Sequence, residues 1–224
     1  MTALENLLKS LQNVKVIDKS VPYSKYIPLD LSISNSGLSK LNMGNSDDFE
    51  NYIANYLKEN NAAVGYGGYN EIRNLYKRST AFNDKSKDER NIHIGLDLWI
   101  QAGTSVLAAL EGKIHSFKYN DSLGDYGPTI IMEHEIENQV FYTLYGHLSL
   151  ESLTNLSVGM AFKKGEEIAT LGTATVNGDY APHLHFQIID DIGQYVGDYP
   201  GVCSENDLEY YLTNCPDPNL LLKI

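Results

Sequence analysis

Between Ile92 and Ile189 the chain is written in short apolar runs, SVLAAL, KIHSF, PTIIM, QVFYTLY and EIATL, separated by Gly, Asp or Asn. Runs of that length are too short for helices of a globular core, and the turn residues between them break the chain into strands. Many short strands with regular punctuation build a sandwich or barrel-like antiparallel sheet. The expected fold class is therefore mainly β (α+β): an antiparallel β-sandwich or barrel-like core, with helices added at the N- and C-terminal ends.

The helices are legible at both ends. Thr2 and Glu5 have capping-box spacing, and Leu4, Leu7, Leu8 and Leu11 follow on one face. From Ile17 to Met43 the chain reads as an extended, irregular connection. Ser46 is the expected cap of a second helix. Asp47, Asp48 and Glu50 suit its first turn, and Phe49, Tyr52, Ile53, Tyr56 and Leu57 form its apolar stripe. A last helix is expected after Ser204 and Asp207, burying Leu208, Tyr211 and Leu212, with Pro216 and Pro218 ending it. The texture changes at Ala63, which divides the chain into an N-terminal helical and irregular extension, 1–62, and a domain over 63–224 with the C-terminal helix. The N-terminal region up to about Ser46 is expected to pack against the β domain, with the groove as a surface it could cover. GMAFKKGEEIATLG reads as a hairpin turning at Gly159 and Gly165.

Composition narrows the partners. The chain has 224 residues with 29 acidic and 17 basic side chains, a formal charge of -12. Such a surface repels phosphate backbones and anionic membranes, so nucleic acid is not an expected partner. No apolar run approaches the roughly 20 residues that span a bilayer. The start, MTALENLLKSLQNVKVID, carries no basic n-region or continuous apolar stretch. That implies a cytoplasmic protein, or a periplasmic or extracellular one if a leader has been removed. Cys203 and Cys215 are expected as free thiols.

The chemistry lies in the histidines. In PHLHF, residues i and i+2 of a strand share a face, so His183 and His185 point the same way, roughly 6.6 Å apart along the strand. Two imidazoles on one face of an otherwise apolar strand are costly to bury without partners, and a metal is a common one. In HIGLD, a straight strand would hold His93 and Asp97 about 13 Å apart, too far for one ion. A bend at Gly95 is the remaining way to bring both onto one metal. No HExxH occurs in the chain. His147, in LYGHLS, falls at a strand end after a glycine. His115 reads as a strand residue without a role, and His134, between two glutamates, as a solvated or structural ion-pair residue.

Together NIHIGLDLWIQAGTSVLAALEGKI, FYTLYGHLS, GMAFKKGEEIATLG and APHLHFQ make Asn91 to Gln187 resemble the lysostaphin-type zinc endopeptidases, which cut peptide bonds of peptidoglycan. The resemblance implies a zinc metallopeptidase with one Zn2+ per chain, held by His93, Asp97 and His185. It implies a catalytic pair, His147 and His183, without saying which is the base, and a peptide or peptidoglycan-derived substrate. Tyr145 is a candidate for the cleft wall beside His147, with core packing as its alternative. The segment TATVNGDYA replaces the family's usual approach to the last motif and is expected to line the groove. The tyrosine that many relatives carry before the first metal histidine is missing, and Arg90 or a tyrosine of YGGYNE is expected to substitute. The flanks GGYNEIRNLYKRS and GDYPGVC with CPDPNLLL are similar to a branch in which such modules can be fused to small-molecule phosphotransferase and aminotransferase domains, which implies an intracellular, non-murein substrate as the alternative. A non-catalytic binding or carrier module on the same scaffold is the competing class. Asp97 argues against it, since a carboxylate repels a phosphohistidine but suits a zinc site.

Overall fold

The computed structural model describes residues 1–41, 45–74 and 88–224. Most of the polar run before Arg90, residues 83–87, lies outside the described residues, as do 42–44 at the end of the irregular connection. In chain order the elements are α1 (Ala3–Ser10), β1 (Tyr26–Pro28), α2 (Ser46–Glu59), β2 (Val64–Gly67), β3 (Glu71–Ile72), β4 (Ile92–His93), β5 (Leu96–Trp99), β6 (Ser105–Leu107), β7 (Gly112–Asn120), β8 (Gly127–Ile136), β9 (Gln139–Gly146), β10 (Ala161–Phe162), β11 (Glu167–Thr170), β12 (His183–Ile189), β13 (Val202–Cys203), α3 (Leu208–Asn214) and α4 (Asn219–Leu222).

Eight strands form the main sheet, in the order β1-β2-β5-β12-β9-β8-β7-β10. All its pairings are antiparallel except β1 with β2. β11 pairs with β6 in a two-stranded sheet, and β13-β4-β3 form a third. The mainly β expectation holds.

Period-2 alternation gives the central strands two different faces. On β12, Leu184, Phe186 and Ile188 enter the largest core cluster, with Val106, Ile168 and Ala169 of the β6–β11 pair. Each fully buried side chain of that size contributes about 1.5–3 kcal/mol of transfer free energy. The intervening residues, His183, His185 and Gln187, point to the other face, and all of β12 is nonetheless buried. The apolar clusters on that side are smaller and gather around Ile131, Leu144 and Ile189, and around Trp99 and Phe49.

The N-terminal segment shares these cores. Leu4, Leu7 and Leu8 of α1 enter the largest cluster beside Leu221 and Leu222 of α4. The Thr2–Glu5 capping box forms in both directions. α2 lays Phe49 against Trp99 at a ring distance of 5.1 Å.

Four local expectations are revised. Asn45, not Ser46, caps α2: its side chain accepts from Asp48 N, while Ser46 Oγ donates to Asp179 Oδ1 at 2.8 Å. GMAFKKGEEIATLG is not a hairpin, because β10 joins β7 of the main sheet and β11 joins β6; the turn through Gly165 transfers the chain between sheets. In α3, Leu208, Tyr211 and Leu212 are only half buried, and no side-chain bond caps it. The prolines end α3 but start a further turn of helix, α4, from the N-cap Pro218, in keeping with proline's fit to a helix start. Both cysteines are free and buried.

Candidate metal centre

Gly95 is where the chain leaves one sheet for another. His93 ends β4 in the three-stranded sheet, and Asp97 lies on β5 in the main sheet, directly opposite His185 of β12. The bend brings His93 Nε2 to 3.3 Å from Asp97 Oδ1. His185 Nδ1 lies 3.2 Å from the same oxygen and 2.9 Å from His93 Nε2. Three donor atoms from two sheets thus meet at one point, and all three residues are buried. Four-coordinate zinc with bonds of about 2.0–2.1 Å needs its ligand atoms about 3.3 Å apart, so the spacing fits.

The outward hydrogen bonds strengthen that fit. His93 Nδ1 bonds Gly68 O at 2.9 Å, and His185 Nε2 bonds the Gln187 side-chain oxygen at 3.0 Å. Each ring N–H is committed to an oxygen acceptor, which turns the other nitrogen's lone pair toward the Asp97 carboxylate. Two lone pairs and an anion face one another over about 3 Å, an arrangement that a cation between them resolves. Burial, then Arg73, pushes the His93 pKa down to about 4. For Asp97 burial works upward, but His93, Arg73, His183 and the His185 bond together hold it well below the usual carboxylate range. His93 is therefore a neutral imidazole and Asp97 a carboxylate at neutral pH, the protonation states a metal requires of such ligands.

His147 and His183 complete the group. His147 follows β9 in the left-handed region, φ 64°, a costly conformation for a side-chain-bearing residue and one that recurs at functional sites. Its Nδ1 bonds Asn177 O at 2.8 Å, and His183 Nδ1 bonds Ala181 O at 2.8 Å. Both acceptors belong to the TATVNGDYA segment. The two rings lie 4.2 Å apart, and His183 stacks on Trp99 at 3.8 Å. Burial depresses both, His183 to about 4 and His147 well below its ordinary value. His183 Nε2 stands 3.9 Å from Asp97 Oδ1, outside the inner triad.

The five residues open on a cleft of about 300 Å³, walled by Tyr126, Tyr180, Tyr195 and Tyr199. Arg90 lies in that wall, its Nε and Nη2 donating to Val202 O. Tyr145 does not. It pairs with Phe186 across β9 and β12, so alternation turns it into the core, where it is fully buried and its hydroxyl accepts from Ala109 N. None of the residues lining the cleft belongs to the first 62, so a groove-covering role for the extension is not seen among the described residues. Tyr69 of YGGYNE bonds Cys215 O instead of entering the cleft.

Sequence reasoning missed Arg73, Gln187 and Tyr126, whereas Tyr180 belongs to TATVNGDYA, the segment expected to line the groove, and lies in the cleft wall. Gln187 carried a signal, since HLHFQ extends the i, i+2 face by one more polar residue. Arg73 and Tyr126 carried none, because they reach the site only through tertiary pairing.

Residues 91–196 match the family model described as Peptidase family M23. The chain is 35% identical over 95 residues to an uncharacterized metalloprotease of Haemophilus influenzae, a match covering 42% of this chain and 18% of that protein. It is 27% identical over 140 residues to the peptidoglycan DD-endopeptidase ShyC of Vibrio cholerae, covering 60% of this chain and 30% of that one. The chain therefore spans less than a third of the length of these two curated relatives. Among solved structures it is similar to the catalytic domain of the antimicrobial peptidase lysostaphin from Staphylococcus simulans, with 25% identity, a TM-score of 0.40, and coverage of 68% of this chain and 93% of that one.

Proposed function

We propose, from the premise that this chain carries a Peptidase family M23 domain over residues 91–196, that it is a zinc-dependent endopeptidase acting on peptidoglycan-like peptides. The observation that carries the reading is the convergence of His93 Nε2, Asp97 Oδ1 and His185 Nδ1 on one buried point beside an open cleft. Those three side chains would hold one Zn2+. Two imidazoles and one carboxylate are a donor set that catalytic zinc uses. Zinc bound there supplies a Lewis acid that polarises a carbonyl and acidifies water.

The chain's own groups do the rest. His147 and His183 are neutral, anchored through Nδ1, and present Nε2 to the cleft; each can take a proton from attacking water or return one to a leaving amine. Their backbone anchors fix the rings before substrate arrives, which removes an ordering cost from the chemical step. The tyrosine wall offers flat faces and hydroxyls to an extended peptide, and Arg90 adds a cation at its edge.

The test is a cleavage screen of purified peptidoglycan fragments and oligoglycine, with and without a zinc chelator. Chelator-sensitive release of new amino termini is the expected result. Stoichiometric zinc without hydrolysis of any peptide would overturn the catalytic reading and leave a binding module.

A further inference from the structure

Among the described residues, Arg73 is the cation that touches the donor triad. Its Nη1 donates to Asp97 Oδ2 at 2.6 Å, and its Nε donates to Glu71 Oε1 at 2.5 Å. The residue is 1% exposed. Glu71 is the cross-strand neighbour of His93 in the β3–β4 pair, and its second oxygen accepts from Leu31 N at 3.2 Å. A line of polar contacts therefore runs from the backbone of the N-terminal extension through Glu71 and Arg73 to the back of Asp97. Gly68 makes room for it: a Cβ there would fall 1.9 Å from Arg73 Nη2.

We propose that Arg73 is a positioning residue of the metal centre: by occupying Asp97 Oδ2, it holds the carboxylate to single-oxygen coordination through Oδ1. The proposal rests on the metal-centre reading above and adds to it the control of ligand mode. The two oxygens of Asp97 have different partners. Oδ1 faces both imidazoles, while Oδ2 is engaged by a guanidinium whose planar fork fixes direction as well as charge. A carboxylate free at Oδ2 can rotate and chelate one ion with both oxygens, which raises the coordination number and takes up a place that water and substrate would use. Glu71 offsets Arg73's charge, so the pair acts on Asp97 mainly through geometry and adds little net field at the ion.

The test uses the full chain and the double variant Glu71→Gln, Arg73→Met, which removes one positive and one negative charge together. Two quantities are read: zinc affinity by competition with a chromophoric chelator, and the visible spectrum of the Co2+-loaded protein, whose band intensity falls as coordination rises above four. The expected result is a zinc affinity lower by about 10- to 100-fold, the usual effect of losing an outer-sphere partner, together with a weakened cobalt spectrum. Arg73→Lys keeps the charge without the fork and should shift the spectrum in the same direction by less; it decides the question if the double variant does not fold. An unchanged cobalt spectrum in a folded variant overturns the proposal, even where affinity drops, because the drop would then come without a change of ligand mode. Failure of the unaltered chain to bind zinc is a separate outcome and would refute the metal centre itself.

Discussion

A Cβ at position 95 would lie 2.4 Å from Cε1 and 2.5 Å from Nε2 of His185. Those atoms belong to a ring bonded to Gln187 and facing Asp97. Gly95→Ala is therefore expected to displace a ligand and to cost about 1–3 kcal/mol of stability through overpacking, measured as a loss of zinc affinity and a lower urea midpoint. His185→Ala should lose both zinc and hydrolysis. His183→Ala should retain stoichiometric zinc by elemental analysis while hydrolysis falls by about 10² or more, the size of a general acid–base contribution; equal metal loss in both variants would show that the division of roles is wrong. At this scale the sequence was informative wherever spacing constrains geometry: the i, i+2 pair of β12 and the need for a bend at Gly95 both appear in the fold. For Tyr145 the core-packing alternative holds, because adjacency in sequence to His147 says nothing of which sheet face a strand residue takes. That depends on register, and register places it opposite Phe186.

Strand β8 carries the buried residue most at odds with its sequence context. His134 lies between two glutamates but is 1% exposed; its Nδ1 bonds Glu111 O at 2.9 Å, and its Nε2 lies 2.7 Å from Thr143 Oγ1. The expected ion-pair role is thus replaced by a neutral link between β8 and β9. Burial lowers its pKa to about 4, from 6.5. Between those values the unfolded chain binds the proton that the folded chain refuses, so this group's contribution is complete above pH 6.5 and is lost as pH falls toward 4, about 3 kcal/mol in all. His134→Gln should flatten the dependence of unfolding free energy on pH in that window, as read by urea titrations at several pH values. The helices offer a simpler check. Thr2→Ala removes one half of the α1 capping box and is expected to cost about 1 kcal/mol, seen as a small drop in Tm. Element type was legible from period and caps at these places. The partition of strands among sheets was not, since the transfer of the chain between sheets at Gly165 depends on contacts with β6 and β7 that no local pattern encodes.

For the molecule as a whole, the N-terminal extension is part of the build. It supplies α1 to the largest cluster, β1 to the main sheet, Phe49 to the Trp99 cluster and Leu31 N to Glu71. Removing residues 1–62 would uncover the edge of β2 and the faces that α1 and α2 bury, so the truncated chain is expected to aggregate or to melt well below the full-length one by circular dichroism. Its apolar stripes were readable in advance; what they cover was not. The passage of the chain from β4 to β5 has a mechanical consequence. One ligand stands on the small sheet and two on the large, so an ion at their meeting point would rivet two independently hydrogen-bonded layers. Loading should then slow amide hydrogen exchange at Ile92 and Val202 while β7 and β8 exchange at an unaltered pace, making the cofactor a fastener of the scaffold as well as an agent of its chemistry.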